Sequence, residues 1–283
     1  MQDIYATIST QLNDGVLVAT INNPPVNVMT LPLYQDLVAF TAAVAVDEDV
    51  RVVVMQSADP DFFIAHFDIE VILTFPIDEP AVKASELSPF HGMCELMRTM
   101  NKPTIAKLAG RVGGGGNEFA ASCDMRFGVR GLTVINQMEV PLGILPGGGG
   151  TQQLPRLIGR NRAMEVILGA DDLDAETAER WGYLNRIFDT TQAMDEFVDR
   201  LARRIASWPK GAVALAKASV VNAEPAMRER LLEEAYLFQQ TLRLPEAQAN
   251  MRAAMAMGAQ TRGGEARIAD LMAELAGGDQ DPR

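Results

Sequence analysis

Histidine and cysteine are scarce in this sequence. Its 283 residues include two histidines, His66 and His91, and two cysteines, Cys94 and Cys123. Neither pair has the spacing of a metal-ligand motif, so we expect no metal site. One disulfide is compatible with the cysteine count, but two free thiols in a cytoplasmic protein is the simpler interpretation.

Positive charge and long apolar runs are also in short supply. The 25 lysines and arginines are outnumbered by 37 acidic residues, which gives a net charge of −12. An acidic protein is a poor partner for nucleic acid unless its basic residues cluster. No apolar run is long enough to span a bilayer, and no secretory signal is recognisable. We therefore expect a cytoplasmic protein without nucleic-acid or membrane partners.

What the sequence does contain is enough apolar surface for a large core. Apolar residues make up 48% of the chain, and its length fits one large domain or one domain with an appendage. Residues 5–9 and 16–21 predict a hairpin around the turn at 13–15. A helix is predicted from Thr30 to about residue 45, and a short apolar strand at 51–56 follows it.

The rest of the chain alternates in the same way and then becomes helical. A strand at 103–109 leads through a glycine run into a helix at 117–124, which indicates an α/β domain with its site at strand ends. Residues 68–88 lack periodicity and predict a mobile flap or irregular helix over that site. From about residue 175 the pattern predicts helix only, and residues 277–283 are expected to be frayed.

Two glycine runs, at 113–116 and 147–150, admit several interpretations. Tight turns are the simplest. A P-loop is disfavoured because no Lys-Ser or Lys-Thr follows, and the dinucleotide fingerprint lacks its third glycine. A close approach of backbone to ligand fits best, because the first run opens a helix whose free N–H groups and dipole can hold a developing negative oxygen. Glu118 is predicted in the first turn of that helix, where a glutamate more often serves only to satisfy the dipole.

Four segments in a fixed order resemble the crotonase (enoyl-CoA hydratase/isomerase) family. The most specific one is KPTIAKLAGRVGGGGNEFAASCD, at residues 102–124. The others are INNPPVN at 21–27, FIAHFDI at 63–69 and EVPLGILPGGGGTQ at 139–152. Four ordered motifs are far more specific than one glycine run, and the similarity extends from about residue 15 to about 190, then more weakly to about 255.

The resemblance implies an architecture. It implies an α/β fold that is a crotonase-like spiral of ββα units with a helical C-terminal region. We expect residues 1–190 to form the core domain with a coenzyme A thioester site. Residues 191–283 would form the helical region and serve oligomerisation, since the family commonly forms homotrimers that pair into hexamers.

The resemblance also implies roles for individual residues. The backbone N–H groups of Phe67 and Gly115 would form an oxyanion hole, and Glu118 and Glu139 would be the acid/base pair of an enoyl-CoA hydratase. Hydration needs both carboxylates, because a base must direct water at the β-carbon while an acid protonates the α-carbon. No cofactor is expected beyond the coenzyme A of the acyl-CoA substrate. The residues predicted to contact the substrate are Ala65, His66, Asp68, Ile69, Gly114, Gly116, Pro146 and Gly147.

Two other functions remain open at this stage. An enoyl-CoA isomerase on the same scaffold would need only Glu139 to carry a proton between two carbons. A non-catalytic protein that binds acyl-CoA thioesters is the second alternative, although neither glutamate is missing. Both alternatives share the scaffold and the acyl-CoA ligand, so only the reaction separates them.

Several residues depart from the family pattern. His66 stands where a small residue is usual, and Phe67 replaces a usual alanine, so the substrate is more open than the reaction class. We interpret His66 as a loop residue that shapes the pocket rim rather than as a catalytic group. An aroyl-CoA dehalogenase is disfavoured, because its nucleophilic aspartate would fall at Gly147.

Two stretches of basic residues admit two interpretations. They are either ordinary solvated surface or a local positive patch for coenzyme A phosphates on an acidic protein. The stretches are Arg98, Lys102, Lys107 and Arg111, and then Arg156, Arg160 and Arg162.

Overall fold

A computed structural model describes residues 5–275 and 277. The strands are β1 (Ile8–Asn13), β2 (Val16–Ile21), β3 (Val52–Ser57), β4 (Phe62–Ile64), β5 (Thr104–Leu108), β6 (Arg111–Gly113), β7 (Met125–Val129), β8 (Val134–Asn136), β9 (Leu173–Asp174) and β10 (Arg186–Phe188). The helices are α1 (Leu31–Val46), α2 (Ile69–Ile72), α3 (Pro89–Thr99), α4 (Gly114–Ala121), α5 (Gly150–Ile158), α6 (Arg160–Gly169), α7 (Ala175–Trp181), α8 (Thr191–Ala206), α9 (Lys210–Val221), α10 (Arg228–Leu242), α11 (Pro245–Ala256), α12 (Arg262–Glu265) and α13 (Ile268–Leu275).

The strands form two sheets, and the chain alternates between them. One sheet has six strands in the order β1-β2-β3-β5-β7-β10, and the other has four in the order β4-β6-β8-β9. Successive strand pairs β3/β4, β5/β6 and β7/β8 each give one strand to each sheet, and helices follow each pair. The predicted spiral of ββα units is therefore confirmed.

The core follows from the patterns in the sequence. In α1, Leu33, Leu37, Phe40 and Val44 recur at helical spacing and are fully buried, and the helix begins after Thr30 as predicted. Strand β3 is buried on both faces, as expected for a parallel strand in the interior of a sheet. Both cysteines are buried free thiols, which confirms the prediction that they do not form a disulfide.

Three predicted elements differ from the structure. The first strand covers residues 8–13 rather than 5–9, and it pairs with β2 across the Asp14-Gly15 turn. Helix α4 begins at Gly114, so Glu118 lies in its second turn and not its first. The region after residue 175 is not wholly helical, because β10 adds a parallel strand beside β7.

The helices after β10 pack on the core in two places. Met194, Val198 and Ala202 of α8 join the apolar cluster on the six-stranded sheet. Helices α10, α11 and α13 share a second cluster with α2 and with residues 138–144. None of the described helices is long and apolar enough to cross a membrane.

The segment predicted as a flap or irregular helix contains one turn of helix. Helix α2 covers Ile69–Ile72, and the residues from there to Ser88 form turns and irregular backbone. The frayed end predicted for residues 277–283 lies outside the described residues, apart from Gly277.

Candidate active site

A cavity of about 480 Å³ lies where helix α4 and the segments after β4 and β8 meet helices α2 and α10. Its walls are mainly apolar and include Tyr34, Phe67, Ile72, Phe90, Phe238 and Leu242. Glu118 of helix α4 and Glu139 of the segment after β8 line the same cavity. A mainly apolar pocket with a few convergent polar groups is the usual form of a small-molecule site.

Glu118 is held by backbone groups of the second glycine run. One carboxylate oxygen, Oε1, accepts the N–H of Gly148 and the N–H of Gly150, each at 2.8 Å. The side chain is 4% exposed. The glycines permit this approach, because a Cβ on Gly148 would lie 2.5 Å from Glu118 Oε2 and 2.4 Å from the Phe90 ring.

Glu139 is held by side chains instead. The Tyr183 hydroxyl donates to Asn117 Oδ1, and Asn117 Nδ2 donates to Gln137 Oε1 at 2.6 Å. Gln137 Nε2 then donates to Glu139 Oε1 at 3.0 Å. Tyr183, Asn117 and Gln137 are fully buried, so this chain of hydrogen bonds fixes the carboxylate from inside the core. Among the described residues, Glu139 Oε2 has no hydrogen-bond partner.

Both carboxyl groups bind protons more tightly than an ordinary glutamate. Burial raises the pKa of Glu118 well above its usual value, and the negative charges of Glu139 and Glu234 act in the same direction. The N–H groups of Gly148 and Gly150 oppose this effect without overcoming it. Burial also raises the pKa of Glu139 to about 7, against the hydrogen bonds from its own backbone N–H and from Gln137 and against the charge of His66. Burial and the charge of the neighbouring carboxylates therefore favour the protonated form of Glu118 most strongly.

The two predicted oxyanion donors lie side by side. A Cβ on Gly115 would lie 3.4 Å from the Phe67 nitrogen and 2.9 Å from Phe67 Cβ, so only glycine fits there. Gly115 is the second residue of α4, where a helix leaves its N–H groups without intrahelical partners. The ladder contacts around Phe67 use the neighbouring residues, since Met29 N donates to His66 O and Asp68 N donates to Met29 O.

The remaining predicted substrate contacts divide into two groups. His66, Ile69 and Gly147 line the cavity. The others do not line it, and they are Ala65, Asp68, Gly114, Gly116 and Pro146. Their places explain why: Ala65 packs with a separate apolar cluster, Asp68 caps α2, and Gly116 lies against the backbone of Ile64.

His66 follows β4 and lines the cavity, and it is buried. It is 2% exposed, and its ring lies between Phe67 O at 2.7 Å and Glu265 Oε1 at 3.0 Å. His91 is also buried, and its Nε2 lies 3.1 Å from Glu234 Oε1. Neither Glu234 nor Glu265 was recognisable in the sequence, because the two residues occur in ordinary helical composition far along the chain from their histidines.

Glu234 also holds the second glycine run. It accepts the N–H groups of Gly149 at 2.7 Å and Thr151 at 3.1 Å, together with the Thr151 hydroxyl. This carboxylate from α10 therefore caps the start of α5 while it raises the pKa of Glu118 through its charge. The second glycine run thus receives a carboxylate from the core and another from the C-terminal helices.

The first stretch of basic residues is occupied by partners within the chain. Arg98 pairs with Glu95, Lys107 with Asp195 and Arg111 with Asp172. Lys102 donates to the carbonyl oxygens of residues 44 and 47. These contacts favour the interpretation of this stretch as structural. Arg243, which the sequence analysis did not single out, lines the cavity instead.

Comparison with known proteins agrees with this geometry. The sequence model of the enoyl-CoA hydratase/isomerase family matches residues 11–261. A crotonyl-CoA hydratase of Syntrophomonas wolfei is 32% identical over 217 residues, which cover 76% of this chain and 81% of the relative. A mouse mitochondrial methylglutaconyl-CoA hydratase is 31% identical over 211 residues, covering 72% of this chain and 64% of the relative.

A solved structure is similar over almost the whole length. It is described as a "putative enoyl-CoA hydratase" from Streptomyces avermitilis and is 40% identical to this chain. The match covers 96% of this chain and 99% of that one, with a TM-score of 0.88. With the family model matching most of its residues, this chain belongs to the enoyl-CoA hydratase/isomerase, or crotonase, family of enzymes.

Proposed function

We propose that this enzyme is an enoyl-CoA hydratase that adds water across the double bond of an α,β-unsaturated acyl-CoA thioester. The observation that carries this proposal is the pair of buried carboxylates, Glu118 and Glu139, on one cavity. Retention of both glutamates favours hydration, because double-bond migration needs only one base and a binding protein needs neither.

The oxyanion hole in this proposal is formed by the N–H groups of Phe67 and Gly115. As water adds to the β-carbon, negative charge develops on the thioester oxygen. Backbone donors fixed beside that oxygen stabilise the charge by roughly 3 kcal/mol each. The close packing of Gly115 against Phe67 supports a single oxygen site between them.

The acid/base step is divided between unlike carboxyl groups. Glu118 Oε1 already accepts two N–H groups, so its proton belongs on Oε2. Glu139 Oε2 lacks a partner among the described residues, and it is an acceptor suited to the reacting water. A protonated and an ionised carboxyl group on either side of one water supply the acid and the base together.

The apolar walls of the cavity suit an acyl chain, and coenzyme A enters as part of the substrate rather than as a separate cofactor. Two of the relatives are named for different acyl groups, crotonyl and methylglutaconyl. The side chains of the cavity wall are therefore the ones that would set the acyl preference. Phe67 and Phe90 have ring centres 6.0 Å apart beside the carboxylates and are the first residues to examine.

A turnover screen tests the proposed function. Purified enzyme is offered unsaturated acyl-CoAs of varied length and branching, and hydration products are separated from products of double-bond migration. We expect hydration to dominate on the best substrate. An enzyme that only moves double bonds, or turns over none of these thioesters, contradicts the proposal.

The expected homotrimer or hexamer also belongs to the proposal. Helix α9 has no buried residue, and its Leu215 and Val220 are 73% and 71% exposed. An apolar helix left uncovered in one chain suits a subunit contact. Light scattering coupled to size-exclusion chromatography measures the mass, and a monomer at micromolar concentration contradicts this expectation.

A further inference from the structure

Each of the two histidines forms a buried pair with a glutamate from the helices that follow β10. His66 meets Glu265 of α12, and His91 meets Glu234 of α10. The first pair spans 199 residues of sequence and joins the predicted oxyanion loop to the last part of the chain. A polar pair at this depth is costly to bury unless both partners are well matched.

The hydrogen bonds of His66 define its protonation state. Phe67 O is a carbonyl oxygen and only accepts, so the Nδ1 that lies 2.7 Å from it must carry a hydrogen. Glu265 Oε1 already accepts the N–H of Gln260 at 2.7 Å. Because Glu265 has a lowered pKa and is ionised, the Nε2 of His66, 3.0 Å from the same oxygen, is a donor too. A ring that donates from both nitrogens is an imidazolium cation.

The surrounding charges agree with this geometry. Burial lowers the pKa of His66. The Glu265 carboxylate raises it by a larger amount, and the charge of Glu139 acts in the same direction, so the pKa is about 9. Burial raises the pKa of Glu265, whereas the charges of His66 and of Arg111 on β6 lower it, and the net change is downward. The pair is therefore ionised through the neutral range.

Gly114 lies against the side chains of both His66 and Glu139. Gly114 has φ +44°, and a Cβ there would lie 3.0 Å from His66 Cβ and 2.9 Å from Glu139 Oε1. The positive ring accordingly lowers the pKa of Glu139, against the larger effect of burial. The negative charge of Glu234 raises the pKa of Glu139, as burial does. The positive charge of His66 opposes both effects.

His66 also fixes the backbone that carries one predicted donor. Its carbonyl oxygen accepts Met29 N at 2.7 Å, and in a trans peptide the N–H of Phe67 must point the opposite way. The ring then ties the next carbonyl, that of Phe67, through Nδ1. Both peptide units around Phe67 are therefore held by contacts that involve His66.

We infer that His66 and Glu265 form a positioning pair in which Glu265 keeps His66 cationic, and His66 both anchors the oxyanion loop and favours the ionised form of Glu139. This inference rests on the proposed function, since it assigns the pair a role in preparing the hydration site. It also gives the C-terminal helix α12 a part in catalysis, through charge and position rather than through contact with substrate.

The first test compares the pH dependence of kcat/KM for the native enzyme, His66→Gln, Glu265→Gln and the double variant. Loss of the cation makes Glu139 easier to protonate, so the acid limb should move to higher pH by about one unit in His66→Gln. His66→Gln also leaves Glu265 buried and unpaired and should lower Tm. The double variant removes that unpaired charge, so it should regain Tm but keep the displaced acid limb.

These outcomes separate positioning from simple structure. A double variant that regains both Tm and the native pH profile, or single variants that leave the acid limb in place, overturns the inference. Lys217→Gln is the matched control, because it removes the cation of another largely buried pair, that with Asp124 at 2.8 Å. It should lower Tm and leave the acid limb unchanged.

A second test needs no turnover. With two histidines in the chain, ring ¹⁵N spectra are assigned by the signals that His66→Gln removes. We expect both ring nitrogens of His66 to be protonated at pH 8 in the native enzyme. In Glu265→Gln, we expect one of the two to be deprotonated at the same pH. The ¹³C signal of the Glu139 carboxyl, assigned by its loss in Glu139→Gln, should titrate at higher pH in His66→Gln.

The two tests also distinguish the inference from the function beneath it. A native enzyme that hydrates no enoyl-CoA contradicts the proposed function, while the spectra still decide whether His66 is a cation that acts on Glu139. A neutral His66 at pH 7, or a Glu139 carboxyl that titrates identically with and without His66, overturns the inference even in a proven hydratase.

Discussion

The two sides of the site hold their carboxylates by different means. On one side, glycines 148 and 150 bring backbone N–H groups to Glu118. On the other, Tyr183, Asn117 and Gln137 pass a hydrogen bond to Glu139. The backbone side requires the absence of side chains, and the side-chain side requires specific ones. One substitution on each side should therefore reveal which support matters more.

The largest effect is expected from the carboxylate on the backbone side. Glu118→Gln keeps the shape and the acceptor for both N–H groups but removes the transferable proton. Hydration should lose about 10²-fold or more in kcat, the scale of a positioned acid or base, with KM moving far less. An enzyme that works through Glu139 alone would instead retain most of its double-bond migration. Near-native turnover of this variant on its best substrate contradicts the hydratase proposal.

The support of Glu118 is tested by Gly148→Ala. The added Cβ would press on Glu118 Oε2 and on the Phe90 ring, at 2.5 Å and 2.4 Å. A small displacement of a reacting group is costly, so we expect roughly a tenfold or greater loss in kcat. Gly169→Ala at the end of α6 is the control, since its Cβ would meet nothing within 4 Å. Equal activity of the two variants would show that Glu118 tolerates movement.

The support of Glu139 is tested by Tyr183→Phe. Loss of the hydroxyl leaves Asn117 Oδ1 without its donor in a fully buried site, but the ring still fills its space. If the lost hydrogen bond contributed ~1 kcal/mol to holding Glu139 in its reactive position, kcat should fall about fivefold. Tyr236→Phe in α10, outside the cavity lining, is the control. A loss larger than that of Gly148→Ala would reverse the order in which the two sides matter.

The sequence predicted the backbone side of the site better than the side-chain side. The glycine runs were recognisable because close approach leaves a composition signal. The start of α4 at Gly114 was missed, because glycine is a poor helix former and tertiary contacts override that propensity here. With this earlier start, Glu118 lies in the second turn, and its carboxylate accepts hydrogen bonds from the second glycine run rather than from its own helix.

Contacts across long sequence distances could not be predicted from local patterns. Glu234 and Glu265 lie 143 and 199 residues from their histidine partners. Each stands in a helical segment whose composition is ordinary, so no motif marks it. Strand β10 was missed for a related reason, because its three residues pair only through the sheet edge that β7 provides.

The smallest expected effect concerns the stability of the fold, and it arises from the burial of Glu139. The folded-state pKa of Glu139 is raised to about 7 from an ordinary 4.5 by burial, so the native state binds its proton more tightly than the unfolded chain does. The protonation of Glu139 therefore adds its full contribution to the free energy of unfolding below pH 4.5. This contribution is lost as the pH rises through 7. Glutamine cannot ionise, so Glu139→Gln avoids this loss of on the order of 1–3 kcal/mol in the free energy of unfolding. The substitution should therefore raise Tm at pH 8 by about 3 °C or more. At pH 4.5, the same substitution should change Tm little.

The exposed Glu196 of α8 provides the control for this effect. Glu196→Gln makes the same chemical change at an exposed position, and we expect it to give no gain in Tm at pH 8. Thermal unfolding followed by circular dichroism at the two pH values measures the difference directly. A Glu139→Gln enzyme that is less stable than the native protein at pH 8 would mean that the hydrogen bond from Gln137 and the charge of His66 outweigh the burial of Glu139. The carboxylate would then be an integral support of the fold, and its position at the site would carry no cost in stability.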